Sequence, residues 1–261
     1  MKKQLHDIVD YNKYPLDDPR FRGKCKTLLG CDGLLVLERF LLPGAINLVL
    51  EEALEKEKLA YYCVNEHNVF LTPQNSDFPV KHPQNLTVKS SKGCITDDQV
   101  PVKSALRTLY NSAQFQGFLC AVLEEQALYE YKDPLSSINV HYAREGQELG
   151  WHFDNSSFAI TLLIQKPESG GSFEYIRDFR KTENNVINYE GVERLLQGNI
   201  AAKKIDISPG SLVLFRGRDA IHRVTPVEGD SIRILSVLAY NSKPGVSLSE
   251  SARMTFFGRL N

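Results

Sequence analysis

The 261-residue chain carries 31 Lys and Arg against 32 Asp and Glu, a formal net charge of -1, with 42% hydrophobic and 24% charged residues. That is the composition of a folded globular protein with enough chain for one large core, and it offers no basic field to a nucleic-acid partner. No run approaches about 18 apolar residues, so no membrane span is expected. Five scattered cysteines (Cys25, Cys31, Cys63, Cys94 and Cys120) without a CxxC pair predict free thiols in a reducing compartment, hence a cytoplasmic protein. Met1 to Asp7 turns polar directly after its basic start and has no apolar leader segment.

In chain order, residues 1–28 are polar and basic with Pro15 and Pro19, and read as an irregular lead-in. Leu34 to Leu37 is a short apolar run suited to a buried strand. Pro43 stands where it would open a helix; Ile46, Val49, Leu50 and Leu54 then recur at helical spacing, with Glu51, Glu52 and Glu55 on the other side. Val69 to Thr72 reads as a strand. Residues 73–101, rich in Pro, Ser, Asn and Asp, read as a long lid-like loop in which Lys89 and Lys92 are solvated.

Residues 102–113 and 115–129 are expected to form two helices. The second carries a stripe of Phe115, Phe118, Leu119, Val122 and Leu123, at the spacing of a buried helix face. After Asp133-Pro134 the pattern changes to short strands: Ile138–Tyr142, Phe158–Ile164, Phe173–Ile176, Lys204–Ile207, Ser211–Phe215, Ile221–Thr225 and Ile232–Tyr240. Gly and Pro turns separate many of them, and Asn185–Gln197 is expected as a helical insertion. Such strands predict a β-sandwich or jelly roll fronted by helices.

The chemistry centres on Gly150-Trp-His-Phe-Asp154. On a strand, residues two apart share a face, so His152 and Asp154 would project side by side. A second histidine from another strand would complete a 2-His-1-carboxylate metal face, the arrangement of non-haem Fe(II) oxygenases. The candidate is His222, 70 residues on. If a two-residue turn at Glu228-Gly229-Asp230 joins two strands, Arg233 falls on the face of His222, fit to grip a carboxylate with a bidentate fork.

With its Ser208-Pro-Gly-Ser-Leu-Val-Leu-Phe215 approach and the Val-Thr-Pro226 that follows His222, this set resembles the Fe(II)/2-oxoglutarate-dependent oxygenases over residues 134–241. The whole chain looks like the branch holding the free-amino-acid halogenases and their hydroxylase relatives. Trp-His-Phe-Asp154, Gly170-Gly-Ser-Phe-Glu-Tyr175, Gly217-Arg-Asp-Ala-Ile-His-Arg-Val-Thr-Pro226 and Phe257-Gly-Arg259 carry that narrower match.

The resemblance implies a single mainly β (α+β) domain over 1–261. Its double-stranded β-helix (jelly-roll, cupin-like) core would span 134–241, behind a helical part over 1–133 and before a C-terminal segment over 242–261. It implies Fe(II) on His152, Asp154 and His222, and 2-oxoglutarate on Arg233, with O2 consumed and succinate and CO2 released. Halogenases of the branch carry a small residue in place of the carboxylate, so Asp154 implies hydroxylation.

Two departures stand out. Leu235 occupies the place where relatives often put a hydroxyl beside the Arg, and Ser236 would face away. Asn139-Val-His141 keeps the Asn of a relatives' Asn-x-Tyr but sets His141 in the aromatic place. Asn139 is accordingly a cofactor-binding candidate, and His141, Asn155, Phe257 and Arg259 are substrate candidates. The expected substrate is a free amino acid or derivative. A peptide side chain, or a metal-holding cupin-like sensor without turnover, are the alternatives, and the oligomeric state is left open.

Overall fold

The computed structural model describes residues 4–261; Met1 to Lys3, and that part of the expectation for the N-terminus, lie outside the described residues. The strands in chain order are β1 (Leu34–Leu37), β2 (Tyr61–Asn68), β3 (Thr87–Ile95), β4 (Ile138–Ala143), β5 (Leu149–His152), β6 (Ala159–Gln165), β7 (Ser169–Gly170), β8 (Phe173–Ile176), β9 (Lys203–Ile205), β10 (Leu212–Phe215), β11 (Ile221–Val224), β12 (Val227–Glu228) and β13 (Arg233–Leu238). The helices are α1 (Pro19–Asp32), α2 (Pro43–Lys56), α3 (Ala105–Tyr110), α4 (Ala113–Leu123), α5 (Tyr189–Leu196) and α6 (Glu250–Phe257). No helix among the described residues is long and apolar enough to cross a membrane.

Eleven strands form one curled antiparallel sheet in the order β1-β10-β6-β13-β4-β3-β5-β11-β8-β9, with β2 paired to β3. The turn from one wall to the other is made at β3. Gly93 to Ile95 pair with β4, Ser90 pairs with Leu149 of β5, and β2 runs along the opposite edge of β3. The result is the expected double-stranded β-helix: one wall of β1, β10, β6, β13 and β4, and a facing wall of β5, β11, β8 and β9.

Alternation along the strands divides two environments. Ile160, Leu162, Leu212, Leu214, Ile234 and Leu238 turn outward into the main core, shared with Val49, Phe115, Phe118 and Leu119 of the helices. Thr161, Leu163, Val213, Phe215, Leu235 and Val237 turn inward and line a cavity. Tyr142 spans the outer layer, its hydroxyl donating to the Ala53 carbonyl at 2.7 Å.

Several local expectations are corrected. The lead-in contains α1, capped by Asp18, whose carboxylate accepts from the Arg20 and Phe21 amides, begun by Pro19 and ended by Gly33 at φ 67°. Only Cys25 and Leu29 of this helix are buried, so it has almost no apolar stripe to read. In α2 the buried face is Ala45, Val49 and Ala53, while Leu54 is 45% exposed; small residues let the helix lie close to its neighbours.

Val69 and Phe70 are not a strand but a buried turn after β2. The 73–101 loop shrinks to about half, because β3 occupies its second part. The two expected helices are shorter than read, capped by Ser104 and Ser112, and α4 ends at Glu124 with φ 63°. The insertion does contain α5, with Val192 and Leu195 buried.

Candidate active site

β5 ends on His152, and Asp154 follows two residues later, outside the strand. The site is therefore half strand and half loop, and the loop is pinned from several directions. The Phe153 amide donates to the Val69 carbonyl at 2.8 Å, and its ring stacks on Phe70. The Asp154 amide donates to the Gly217 carbonyl at 3.0 Å. β11 pairs His222 directly with His152, bringing their rings to 4.2 Å between centroids.

Asp154 Oδ1 lies 3.8 Å from His152 Nε2 and 3.6 Å from His222 Nε2. One donor atom from each of the three falls within 4.8 Å of the others. Each histidine is oriented by its own backbone: His152 Nδ1 sits 2.8 Å from the Gly150 carbonyl and His222 Nδ1 3.1 Å from the Ala220 carbonyl. A carbonyl only accepts, so both Nδ1 atoms carry the proton and both Nε2 lone pairs face the centre, the usual support for a ligating imidazole.

Electrostatics agree. Burial, reinforced by the neighbouring His222, pushes the His152 imidazole down to about 3. Burial by itself would raise the Asp154 carboxyl, but the two imidazoles and Lys92 hold it below its ordinary value. Two imidazoles and one carboxylate form the donor set that suits a non-haem Fe(II) ion and leaves coordination positions open.

Gly217 is part of this geometry. A Cβ on it would stand 1.8 Å from Asp154 Oδ2, and its φ lies outside the left-handed region. The constraint is thus close approach rather than backbone shape. Gly217→Ala is expected to leave the fold intact while displacing the carboxylate. Iron affinity should fall by about 10- to 100-fold, as for other losses of ligand support, which an iron titration beside far-ultraviolet circular dichroism would measure.

Arg233 enters the same cavity from the other wall. The expected hairpin is absent: β11 pairs with β5 and β8, whereas β13 pairs with β4 and β6. The chain between them spends Val227 and Glu228 on a separate two-stranded ribbon with β7. Arg233 Nε donates to the Gly171 carbonyl at 3.0 Å, and no carboxylate pairs with the guanidinium among the described residues. Burial alone draws it down to about 10. A buried guanidinium without a counter-ion, facing a cavity of about 290 Å³ that also holds the triad, is a place for an anionic ligand.

The other candidates divide. His141 lines the cavity. Asn139 is not among its lining residues; its amide donates to the Leu135 and Ile138 carbonyls and fixes the start of β4. Asn155 is exposed, and its carbonyl accepts from Arg218 at 2.8 Å. Phe257 is buried against Cys94 and Leu135, and Arg259 is bound to Asp98 at 2.6 Å, so the C-terminal segment closes an end of the core and does not offer these side chains to the cavity.

Sequence reading missed Lys92, a cavity residue instead of a solvated one, and the role of Gly217. Only the parity of Lys92 with Ser90 and Cys94 could have pointed inward, and that parity has meaning only once β3 is known to be a strand.

A family model described as Halogenase D matches residues 50–255. The chain belongs to the halogenase D family. The fold of this family member is that of 2-oxoglutarate- and Fe(II)-dependent oxygenases. A structure of HygX from Streptomyces hygroscopicus with nickel, 2-oxoglutarate and hygromycin B bound superposes with a TM-score of 0.57 at 13% identity, over 87% of this chain and 89% of that one. A prolyl hydroxylase from Trichoplax adhaerens, in complex with a hypoxia-inducible-factor peptide fragment, gives 0.54 at 15% over 85% and 90%. An oxidoreductase of the 2OG-Fe(II) oxygenase family from Burkholderia pseudomallei gives 0.55 at 11% over 87% and 93%. At these identities the likeness is one of fold. A comparison with curated protein sequences gave no match.

Proposed function

We propose that this halogenase D family member is an Fe(II)- and 2-oxoglutarate-dependent dioxygenase that hydroxylates an unactivated C–H of a small, amino-acid-like substrate and releases succinate and CO2. The observation that carries the reading is Asp154, whose carboxylate completes the donor face in the place where a halogenase keeps a small residue. His152, Asp154 and His222 would hold the iron, and Arg233 the distal carboxylate of 2-oxoglutarate. Bound there, iron and 2-oxoglutarate supply with O2 the oxidant for the C–H bond, chemistry that belongs to the cofactors.

The chain's own part is binding, orientation and exclusion of water. Phe173 and Phe215 pack against the His222 ring, at 5.8 and 4.8 Å between centroids, and give the metal face an apolar wall. The lining is otherwise rich in aliphatic and aromatic side chains, and its volume of about 290 Å³ is at the low end for ligand sites. Once a keto acid takes its share, the remaining space fits a small molecule. The scattered cysteines support a reducing, cytoplasmic setting.

The test is succinate release under air with Fe(II) and 2-oxoglutarate, screened across free amino acids in chloride-containing buffer. The expected result is slow release without substrate, faster release with one or a few amino acids, and a product heavier by one oxygen. Stimulation only by peptides would move the substrate to a protein side chain. A chlorinated product would overturn hydroxylation, and absence of succinate from iron-loaded protein would favour the sensor reading.

A further inference from the structure

β3 brings a second cation into the cavity. Lys92 Nζ lies 3.2 Å from each ring nitrogen of His141, on the neighbouring strand β4. The register pairs Cys94 with His141, and His141 with Leu235 of β13, so Lys92, His141 and Arg233 rise from three adjacent strands. All three line one small recess, together with Leu149, Val224, Leu235 and Glu148, whose carboxylate pairs with neither cation. Neither Lys92 nor Arg233 has a carboxylate within ion-pair distance among the described residues.

A buried guanidinium and a half-buried ammonium facing one recess have given up much of their hydration, an arrangement that is costly unless an anion closes on both. His141 does not relieve it as a charge: burial, then Lys92 and Arg233, drive its imidazole well below its ordinary value, so it stays neutral and can accept a hydrogen bond from the ammonium. The hydroxyl that could have shared the load two residues after Arg233 is missing. Leu235 lines the recess there, and the Ser236 hydroxyl is buried on the other face without a partner.

We propose that Lys92, positioned by His141, is a second cation for the distal carboxylate of 2-oxoglutarate, acting with Arg233 and making the site selective for a keto diacid. The inference rests on the oxygenase reading above and deepens it. A charge-assisted contact in a dry site is among the stronger single contacts, and an ammonium reaching from β3 ties cofactor binding to the strand that joins the two walls.

The test is anaerobic calorimetric titration of Fe(II)-loaded protein with 2-oxoglutarate and with 2-oxobutyrate, which lacks the distal carboxylate. Wild type is expected to prefer the diacid strongly. Lys92→Met should weaken 2-oxoglutarate by about 10- to 100-fold and leave 2-oxobutyrate nearly unchanged, while Lys92→Arg retains most of the preference. Thermal unfolding of each variant checks that the fold is kept. A Lys92→Met protein that keeps the full diacid preference overturns the proposal, and a raised KM for the amino-acid substrate in that variant would assign Lys92 to the substrate. Wild-type protein that binds neither keto acid overturns the oxygenase reading itself.

Discussion

Alanine at position 222 is expected to remove bound iron and stop turnover. His222 supplies one of three ligands and is itself 7% exposed, so no water-borne group reaches in to replace it without rearrangement. Losing support behind a ligand costs about 10- to 100-fold in metal affinity; losing the ligand should cost more, on the order of 10³-fold, with turnover falling in step. The packing argument separates this from unfolding. The imidazole is flanked by Phe173, Phe215 and His152 inside a wall whose strands keep their backbone pairing, so the circular dichroism spectrum should stay that of wild type. Iron content after anaerobic loading and desalting is the measurement. An iron-replete, active variant would mean that the metal sits elsewhere.

Arg233→Met should weaken 2-oxoglutarate by about 100-fold or more, since a bidentate guanidinium contact to a carboxylate is lost. Its second consequence concerns stability. In the ligand-free protein the guanidinium is buried with one hydrogen bond, to Gly171, and no counter-ion. Replacing an uncompensated buried charge by an apolar chain of similar reach is often neutral or stabilising. The ligand-free variant should therefore melt no lower than wild type. Added 2-oxoglutarate should raise Tm for the wild type and leave the variant where it was, because only a ligand that binds the folded state shifts the transition. Differential scanning fluorimetry with and without the keto acid reads both effects.

What could be read from the chain was what burial or ligand chemistry writes into it. The stripe from Phe115 to Leu123 is buried throughout, and the strands from Ile138 to Leu238 lie within a few residues of their expected places, because one face of each must be apolar. His152, Asp154 and His222 converge because such a ligand set tolerates few alternatives. β2 and β3 were illegible for the opposite reason. Tyr61 to Asn68 is half exposed, and Thr87 to Ile95 sends Ser90 and Lys92 towards polar work, so hydrophobic alternation never develops. The route of Arg233 was misjudged because hairpins between successive strands are the default, whereas here two walls are wound together and, β8 and β9 apart, successive strands of the walls from β4 onward belong to opposite ones.

That winding sets a timetable for synthesis. β1 leaves the ribosome before the other described strands, yet its partner is β10, with Leu34 opposite Phe215, roughly 180 residues later. At about 5–20 residues per second the early segment waits on the order of ten seconds or more for its neighbour. The apolar edge of Leu34 to Leu37 must meanwhile be covered by α1 and α2 or by a chaperone. The nascent chain is therefore most exposed to aggregation before β10 emerges, and overproduction at low temperature or with added chaperone capacity should raise the soluble yield more than any change at the metal site.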